Sequence, residues 1–323
     1  MRVGVFGLGA LGTRAARQLA SSAEVDSVVL VERRADRLTE VSESIGRLAT
    51  AHEGDDLPLL DVAVLATPGD QQVRDARRLV RHGVSVVATT DSVKATTALL
   101  DLDAEARARG LTVAVGAAFS PGLTCVLARF AAAGLDVVDE IHVARIGTAG
   151  PACARQHHRA LRGTTVDWRD GGWQRRPAGS GRELNWFPDP IGAADCYRAE
   201  LPDALLLVPA FRGVGRVTAR LAATRRDRLT AGLPMLRRPH PEAGIGAVRV
   251  EVQGRGDDGI TAHILGAIDR PGIAGGAVAA VTAVHLGSGR ALRTGAAGLA
   301  ELVEPKPFLA ELARRGVKAA RFG

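Results

Sequence analysis

Lysine is nearly absent from this chain. Of the 42 basic residues among 323, only Lys94, Lys306 and Lys318 are lysine. Such an arginine- and alanine-rich composition reads as coding bias, so the net charge of +7 says little about partners by itself. Aromatic residues make up 3% of the chain and the basic residues are dispersed. The stacking platforms that nucleic acids require are therefore lacking, and no nucleic-acid partner is expected. Cysteine is scarce as well: Cys125, Cys153 and Cys196 are widely spaced, with no CxxC. They read as free thiols in a reducing compartment, with neither a disulfide frame nor a zinc site. No long apolar run exists for a membrane span, and no signal peptide is expected, since the opening apolar run reads as the first strand. Cytoplasmic location follows by default. What remains, 46% hydrophobic and 24% charged, suits a globular protein whose length favours two domains.

The most informative segment is the first. Met1-Arg-Val-Gly-Val-Phe-Gly-Leu-Gly-Ala-Leu-Gly12 runs from a short apolar strand into Gly7-x-Gly9-x-x-Gly12, and Leu11, Ala15, Ala16 and Leu19 continue at helical spacing. This is the dinucleotide-binding fingerprint in its required strand–turn–helix setting. Gly7 makes the turn, Gly9 lets the backbone approach a pyrophosphate, and Gly12 lets helix and strand pack closely. The helix start, with Ala10 and Leu11, offers N–H groups to phosphate. Glu32 ends the next strand, where a carboxylate binds the adenosine ribose. Glu32 favours NAD(H), whereas Arg33, Arg34 and Arg37 suit a 2′-phosphate and leave NADP(H) open. The balance tilts slightly to NAD. A basic surface favours such an anionic cofactor, or a carboxylate-bearing substrate.

Strand and helix patterns alternate to about residue 118, as in a doubly wound parallel sheet. Asp61–Pro68, Val84–Thr90 and Leu111–Val115 read as strands; residues 70–82 and 94–109 read as helices, the second capped by Asp91 or Ser92. The pattern changes after Gly116, and from Asp139 onward the chain enters a section rich in Gly, Trp and Arg. Ile141–Ile146 is a strand, and 248–268 reads as two strands around an Asp-Gly-containing turn. Residues 307–316 look helical again. The expected fold is α/β: an N-terminal Rossmann domain (1–120), an α+β catalytic and dimerisation domain with a largely antiparallel sheet (121–290), and a segment returning to the Rossmann domain (291–323). One face of the 248–268 pair needs cover, so a homodimer is expected.

Gly116-Ala-Ala-Phe-Ser-Pro-Gly-Leu-Thr124 has the form of a strand, a G-x-x-x-x-P-G-L-[ST] turn and a helix. With Ala66-Thr-Pro68, the run His82–Thr90, Phe187-Pro-Asp-Pro-Ile-Gly192, the 248–268 pair and the run from Phe308, it touches most of the chain. On these motifs the sequence resembles the saccharopine dehydrogenase-like group of NAD(P)-dependent oxidoreductases. That group is related in architecture to diaminopimelate dehydrogenase and native amine dehydrogenases. The resemblance implies a second domain inserted after the Rossmann part and an active cleft between the two. It also implies reversible hydride transfer at a carbon bearing nitrogen, through an imine. Where that group often has an acid before Pro-Gly-Leu, this chain has Ser120, so the acid's role is not carried over.

Thr67, Pro68, Thr89 and Thr90 end strands on the nicotinamide side, and Pro121 and Gly122 border the same pocket in the family-like turn. Lys94, one turn beyond Thr90, is a tunable proton donor if it faces the cleft and an ordinary surface lysine if it does not. Asp91 is either an acid/base or a helix cap. Arg155, His157 and His158 form a polar cluster in which Arg155 and His158 suit a substrate carboxylate and His157 suits proton transfer. Without a third ligand at metal spacing beside the histidines, no metal is expected. Tyr197, the sole tyrosine, follows the rigid 187–192 loop and is a further catalytic candidate in a segment suited to closing over substrate. Trp168, Trp173 and Trp186 suit a pocket wall or a core. The reading is an NAD(P)-dependent dehydrogenase or reductase acting on a small amine, imine or amino-acid-like substrate. A sugar or polyol oxidoreductase of the glucose–fructose oxidoreductase-like type is an alternative, although that type places Glu-Lys-Pro where this chain has Thr89-Thr90-Asp91. A dinucleotide-binding sensor without turnover is the alternative from another class.

Overall fold

Strands buried on both faces appear in sequence as unbroken apolar runs, and the first half of the chain is built from them. The computed structural model describes residues 1–52, 54, 56–235, 244–257 and 259–322. Chain order in the first unit is β1 (Arg2–Phe6), α1 (Ala10–Ala20), β2 (Ser27–Val31), α2 (Ala35–Ile45), β3 (Ala49–His52), β4 (Val62–Leu65), α3 (Gly69–Arg81), β5 (Ser85–Ala88), α4 (Val93–Leu100), α5 (Asp103–Ala108) and β6 (Thr112–Val115). The helix expected over 94–109 is thus two helices. Ser92 caps the first by accepting from the Ala95 N–H, which frees Asp91 from that task.

The second unit comprises α6 (Leu123–Ala131), β7 (Val137–Ile146), α7 (Pro151–Ala160), β8 (Thr164–Arg169), β9 (Gly172–Pro177), β10 (Glu183–Phe187), β11 (Gly192–Arg198), α8 (Asp203–Leu207), β12 (Arg216–Ala222), α9 (Arg225–Thr230), β13 (Gly246–Gly256) and β14 (Gly259–Asp269). Then come α10 (Pro271–Gly287), β15 (Gly295–Ala297), α11 (Leu299–Leu302), α12 (Pro305–Arg314) and β16 (Ala319–Arg321). The β13–β14 hairpin is the expected strand pair; Asp258, in its turn, lies outside the described residues.

The architecture is α/β. A seven-stranded sheet runs β15-β6-β5-β4-β1-β2-β3, with every pairing parallel. The second sheet runs β10-β11-β12-β7-β13-β14-β16 with the β8–β9 hairpin beside β12; its pairings are antiparallel except β7 with β12. The chain re-enters the first unit at Pro271, earlier than the expected 291. The inner surface of α10 lies on α1, where a Cβ at Gly276 would press on the Leu11 carbonyl and the Arg14 side chain. β15 then completes the parallel sheet, while β16 returns to the second sheet beside β14.

One face of the second sheet carries Ile141, Val143, Val248, Val250 and Val252 into the main core under α6. The alternate positions are mixed: Arg249 pairs with Glu251 at 2.6 Å and His142 with Glu140 at 2.8 Å, while Ile260 and Ala262 of the hairpin are exposed on the same face.

Candidate active site

Four parallel strands end at one opening. Beyond the carboxyl ends of β1, β4, β5 and β6 lies a cavity of about 510 Å³, closed on its far side by α7. In doubly wound sheets this is where ligands bind. Gly9, Ala10 and Leu11 form one wall and Thr67, Pro68, Thr89 and Thr90 another.

The glycine turn fits a dinucleotide. Gly7 has a φ of 89°, which favours glycine, and a Cβ there would lie 3.0 Å from the Ala66 carbonyl oxygen. A Cβ on Gly12 would overlap the Gly7 carbonyl, so helix and strand pack as the fingerprint requires. A Cβ on Gly9 would meet nothing within 4 Å, which is the open space a pyrophosphate needs beside the N–H groups that begin α1. Glu32 is held against this turn: its Oε2 accepts from the Leu8 N–H at 2.9 Å, and its Oε1 from Arg33 N–H at 3.0 Å. Arg37 is consumed locally, donating to the Leu8 carbonyl and to Thr13. Arg33 and Arg34 are exposed beside Glu32, Arg34 only 3.9 Å from its carboxylate.

The wall made by Thr67, Pro68, Thr89 and Thr90 is fixed by Gln72. Gln72 is buried; its amide donates to the Thr67 carbonyl at 2.6 Å, and its Oε1 accepts from the Thr89 and Thr90 N–H groups at 3.0 and 3.1 Å. Gln72 thereby clamps the ends of β4 and β5 together. A signal was present: residue 72 lies on the buried stripe of α3 with Ala76, Leu79 and Val80.

Opposite stands a polar cluster. Asp91, at the end of the β5 segment, places Oδ2 at 2.9 Å from His157 Nε2 and 3.3 Å from Arg145 Nη2. Arg145 also approaches His157 Nε2 at 2.6 Å and donates to the Ser120 carbonyl. Cys153, one turn before His157 on α7, lies 3.3 Å from the same ring nitrogen. Burial and the Arg145 charge lower His157 below its usual value, against the pull of Asp91, so the ring is neutral near pH 7. Burial works the other way on Asp91, but the His157 hydrogen bond and the Arg145 charge prevail and hold its carboxyl at about 2. Burial and the nearby Asp91 push the Cys153 thiol well up, so it stays protonated.

Asp91, Cys153 and His157 bring their ligand atoms within 4.8 Å of one another, so the fold does supply partners that spacing alone did not show. The Arg145 guanidinium already sits against both Asp91 and His157 as their cation. The set suits a guanidinium-centred network better than a metal ion.

A buried acid stands behind Ser120. The Ser120 and Thr124 hydroxyls donate to Asp203 Oδ1 at 3.2 and 2.9 Å, and burial raises the Asp203 carboxyl. An acid is thus present near the position where the sequence has serine, but it is wholly enclosed.

Of the other residues singled out in sequence, Arg155 lines the cavity from α7, exposed and without a polar partner among the described residues. Lys94 stands at the rim; its side chain is 81% exposed and pairs with Asp70 at 3.2 Å. Pro121 and Gly122 do not line the cavity as expected but lie behind its wall, where Gly122 precedes α6 as its cap residue. Three further expectations fail. His158 faces away from the cavity, with its ring against the Leu233 carbonyl, since neighbouring helix positions do not share a face. Tyr197 is buried in β11 under the Arg228 guanidinium, 4.2 Å from its ring centre, and does not reach the cavity. The 187–192 loop packs Phe187 and Ile191 against Ala144 and Ala247 instead of covering the cleft. Trp168 and Trp173 stack edge to face away from it, and Trp186 is exposed.

No family model and no curated protein matches the sequence. Solved structures do match in fold. Apo saccharopine dehydrogenase (L-Glu forming) from Saccharomyces cerevisiae aligns over 100% of both chains, with a TM-score of 0.71 and 14% identity. An amine dehydrogenase from Mycobacterium smegmatis aligns over 94% of this chain and 96% of its own, with a TM-score of 0.54 and 14% identity. GenD2 from gentamicin A biosynthesis, solved in complex with NAD, covers 100% of this chain and 96% of its own at a TM-score of 0.51 and 15% identity. The chain shares the fold of these dehydrogenases.

Proposed function

We propose that the protein is an NAD(P)-dependent oxidoreductase acting at a nitrogen-bearing carbon of an amino-acid-like substrate. The observation that carries this reading is a single cavity faced by both the glycine turn and the Asp91–Arg145–His157 cluster. The fold shared with a saccharopine dehydrogenase and an amine dehydrogenase supports it.

The turn Gly7–Gly12 would hold the pyrophosphate, Glu32 the adenosine ribose, and Thr67, Pro68, Thr89 and Thr90 the nicotinamide side. Bound there, the nicotinamide supplies or takes up the hydride. Proton handling is the chain's own part. Neutral His157 accepts the proton released from a substrate ammonium as the C–N bond becomes an imine, and returns it in the reverse direction. Asp91 stabilises the imidazolium formed, and Arg145 holds Asp91 and the Ser120 carbonyl in place. Arg155 pairs with a substrate carboxylate. Glu32 beside the ribose position favours NAD over NADP.

The test is absorbance at the reduced-nicotinamide band with purified protein, screened against amines, amino acids, and keto acids with ammonia. Turnover with a nitrogen-bearing substrate that is lost in His157→Gln is the expected result. Dinucleotide binding with no turnover in any of these, or turnover of polyols alone, overturns the reading.

A further inference from the structure

We propose that the second sheet carries a binding site for a phosphate group, apart from the cleft and independent of the activity proposed above. Between the β8–β9 hairpin, β11 and β12 lies a pocket of about 80 Å³ walled by Arg169, Arg176, Arg198, Arg216 and Arg220, with Asp167 as the acid on its wall among the described residues. A cavity that holds one water needs roughly 15 Å³, so this pocket has room for a small tetrahedral anion.

The strand register makes the concentration of charge costly. Arg216 pairs across from Arg169, and Arg220 across from Arg198. Like charges directly opposite destabilise a sheet unless something offsets them. Asp167 offsets part: its carboxylate lies 3.4 Å from Arg220 and 3.6 Å from Arg198, and it also accepts from Thr165. The remaining counter-charges are peripheral. Arg169 pairs with exposed Asp170, Arg216 with Glu140 and Arg220 with half-exposed Glu183, while Arg176 has no polar partner among the described residues.

Two donors inside are incompletely satisfied. The buried Nε–H groups of Arg198 and Arg220 lie 3.6 and 3.4 Å from the Asp167 and Glu183 carboxylates but make no hydrogen bond to them, although the Arg220 side chain is only 5% exposed. A buried donor without an acceptor bears its full desolvation cost. A phosphate supplies several acceptor oxygens and the missing negative charge, and guanidinium forks match its geometry.

The experiment is isothermal titration of the full chain with inorganic phosphate, and in a second arm with a phosphate monoester, in low-chloride buffer. Arg176→Gln is the primary variant because Arg176 is exposed and its loss leaves the fold intact; Arg220→Gln is read only if its circular dichroism is native. Binding by the wild type that weakens at least tenfold in Arg176→Gln, and persists in Gly9→Val, supports the site. Tighter binding of the monoester identifies an esterified ligand, and tighter binding of inorganic phosphate the free ion. Absence of binding, equal affinity in Arg176→Gln, or loss in Gly9→Val overturns it, the last by assigning the anion to the glycine turn.

Discussion

Asp91 Oδ2 and His157 Nε2 meet at 2.9 Å across 66 residues of chain, one carried at the end of a parallel strand and the other on a helix of the second unit. Neither unit holds this pair alone. It forms only between the two units, and Arg145, which meets His157 within the second unit, reaches Asp91 across the same boundary.

His157→Gln is expected to lower turnover by about a hundredfold or more, the usual size of a general acid–base contribution. Lys94→Ala should lower it by less than about tenfold, because the Lys94 ammonium sits in solvent against Asp70. In the oxidative direction, the acid limb of wild-type kcat/KM should be centred below 6.5, since burial and Arg145 lower His157 from that value. Steady-state kinetics on the two variants, with a wild-type pH series, measure all three. An acid limb centred above 6.5 would assign the proton to another group.

Asp91 links the site to stability. Its folded carboxyl titrates at about 2 against 3.8 as a free side chain. Its contribution is therefore complete above about pH 4 and is lost as pH falls toward 2, amounting to about 2 kcal/mol. Asp91→Asn should cost that much or more at pH 7, because Arg145 keeps a buried charge without its counter-charge. Urea denaturation at a series of pH values should show the gap between wild type and variant closing as pH drops from 4 to 2. A gap that does not change with pH would mean that Asp91 is not the counter-charge.

Gly9 and Gly12 should fail differently. Gly9 has a φ of −71° and a ψ of −168°, which other residues adopt, and space around its missing Cβ, so Gly9→Val should fold with an unchanged Tm yet lose dinucleotide binding. Gly12→Ala overlaps the Gly7 carbonyl and should lower Tm. Thermal melts paired with cofactor titrations separate the two. Retained cofactor affinity in Gly9→Val removes the pyrophosphate from this turn.

Glu32→Ser removes a carboxylate from the ribose position while Arg33 and Arg34 stay. Repulsion of a partly exposed charge is worth ~1 kcal/mol or more, so the NADP-to-NAD preference should rise by roughly tenfold. Competitive binding of the two cofactors gives the ratio. An unchanged ratio places Glu32 away from the 2′ position.

The parallel sheet and glycine turn were legible because each strand is a short apolar run and each glycine is constrained by its own neighbours. Half of the polar cluster was legible too: Asp91 and His157 were chosen for residue type and setting. Arg145 carries a sequence signal of its own. Ile141, Val143 and Arg145 alternate onto one face of β7, so a guanidinium follows two core positions. Pro151 starts a helix at its first turn, and that helix sets Cys153 and His157 on one face. Helix α10 was illegible for a physical reason. It is buried nearly all round, so it has no amphipathic period to detect. Tyr197 was misjudged because rarity in a composition is not chemistry. The Ser120–Asp203 contact joins residues 83 apart and leaves no local trace.

β15 sits beside β6, and the Thr112 hydroxyl reaches the Arg293 carbonyl across 181 residues. During synthesis, residues 1–120 therefore emerge with one sheet edge open and without the α10 cover on α1. That edge can be closed natively only after about residue 297 has been made, once the whole second unit has emerged between them. Contacts this distant in the chain are slow to form, and an open strand edge invites pairing with other chains. The arrangement makes completion of the parallel sheet a late event in folding, so a nascent chain interrupted before β15 would be prone to aggregate.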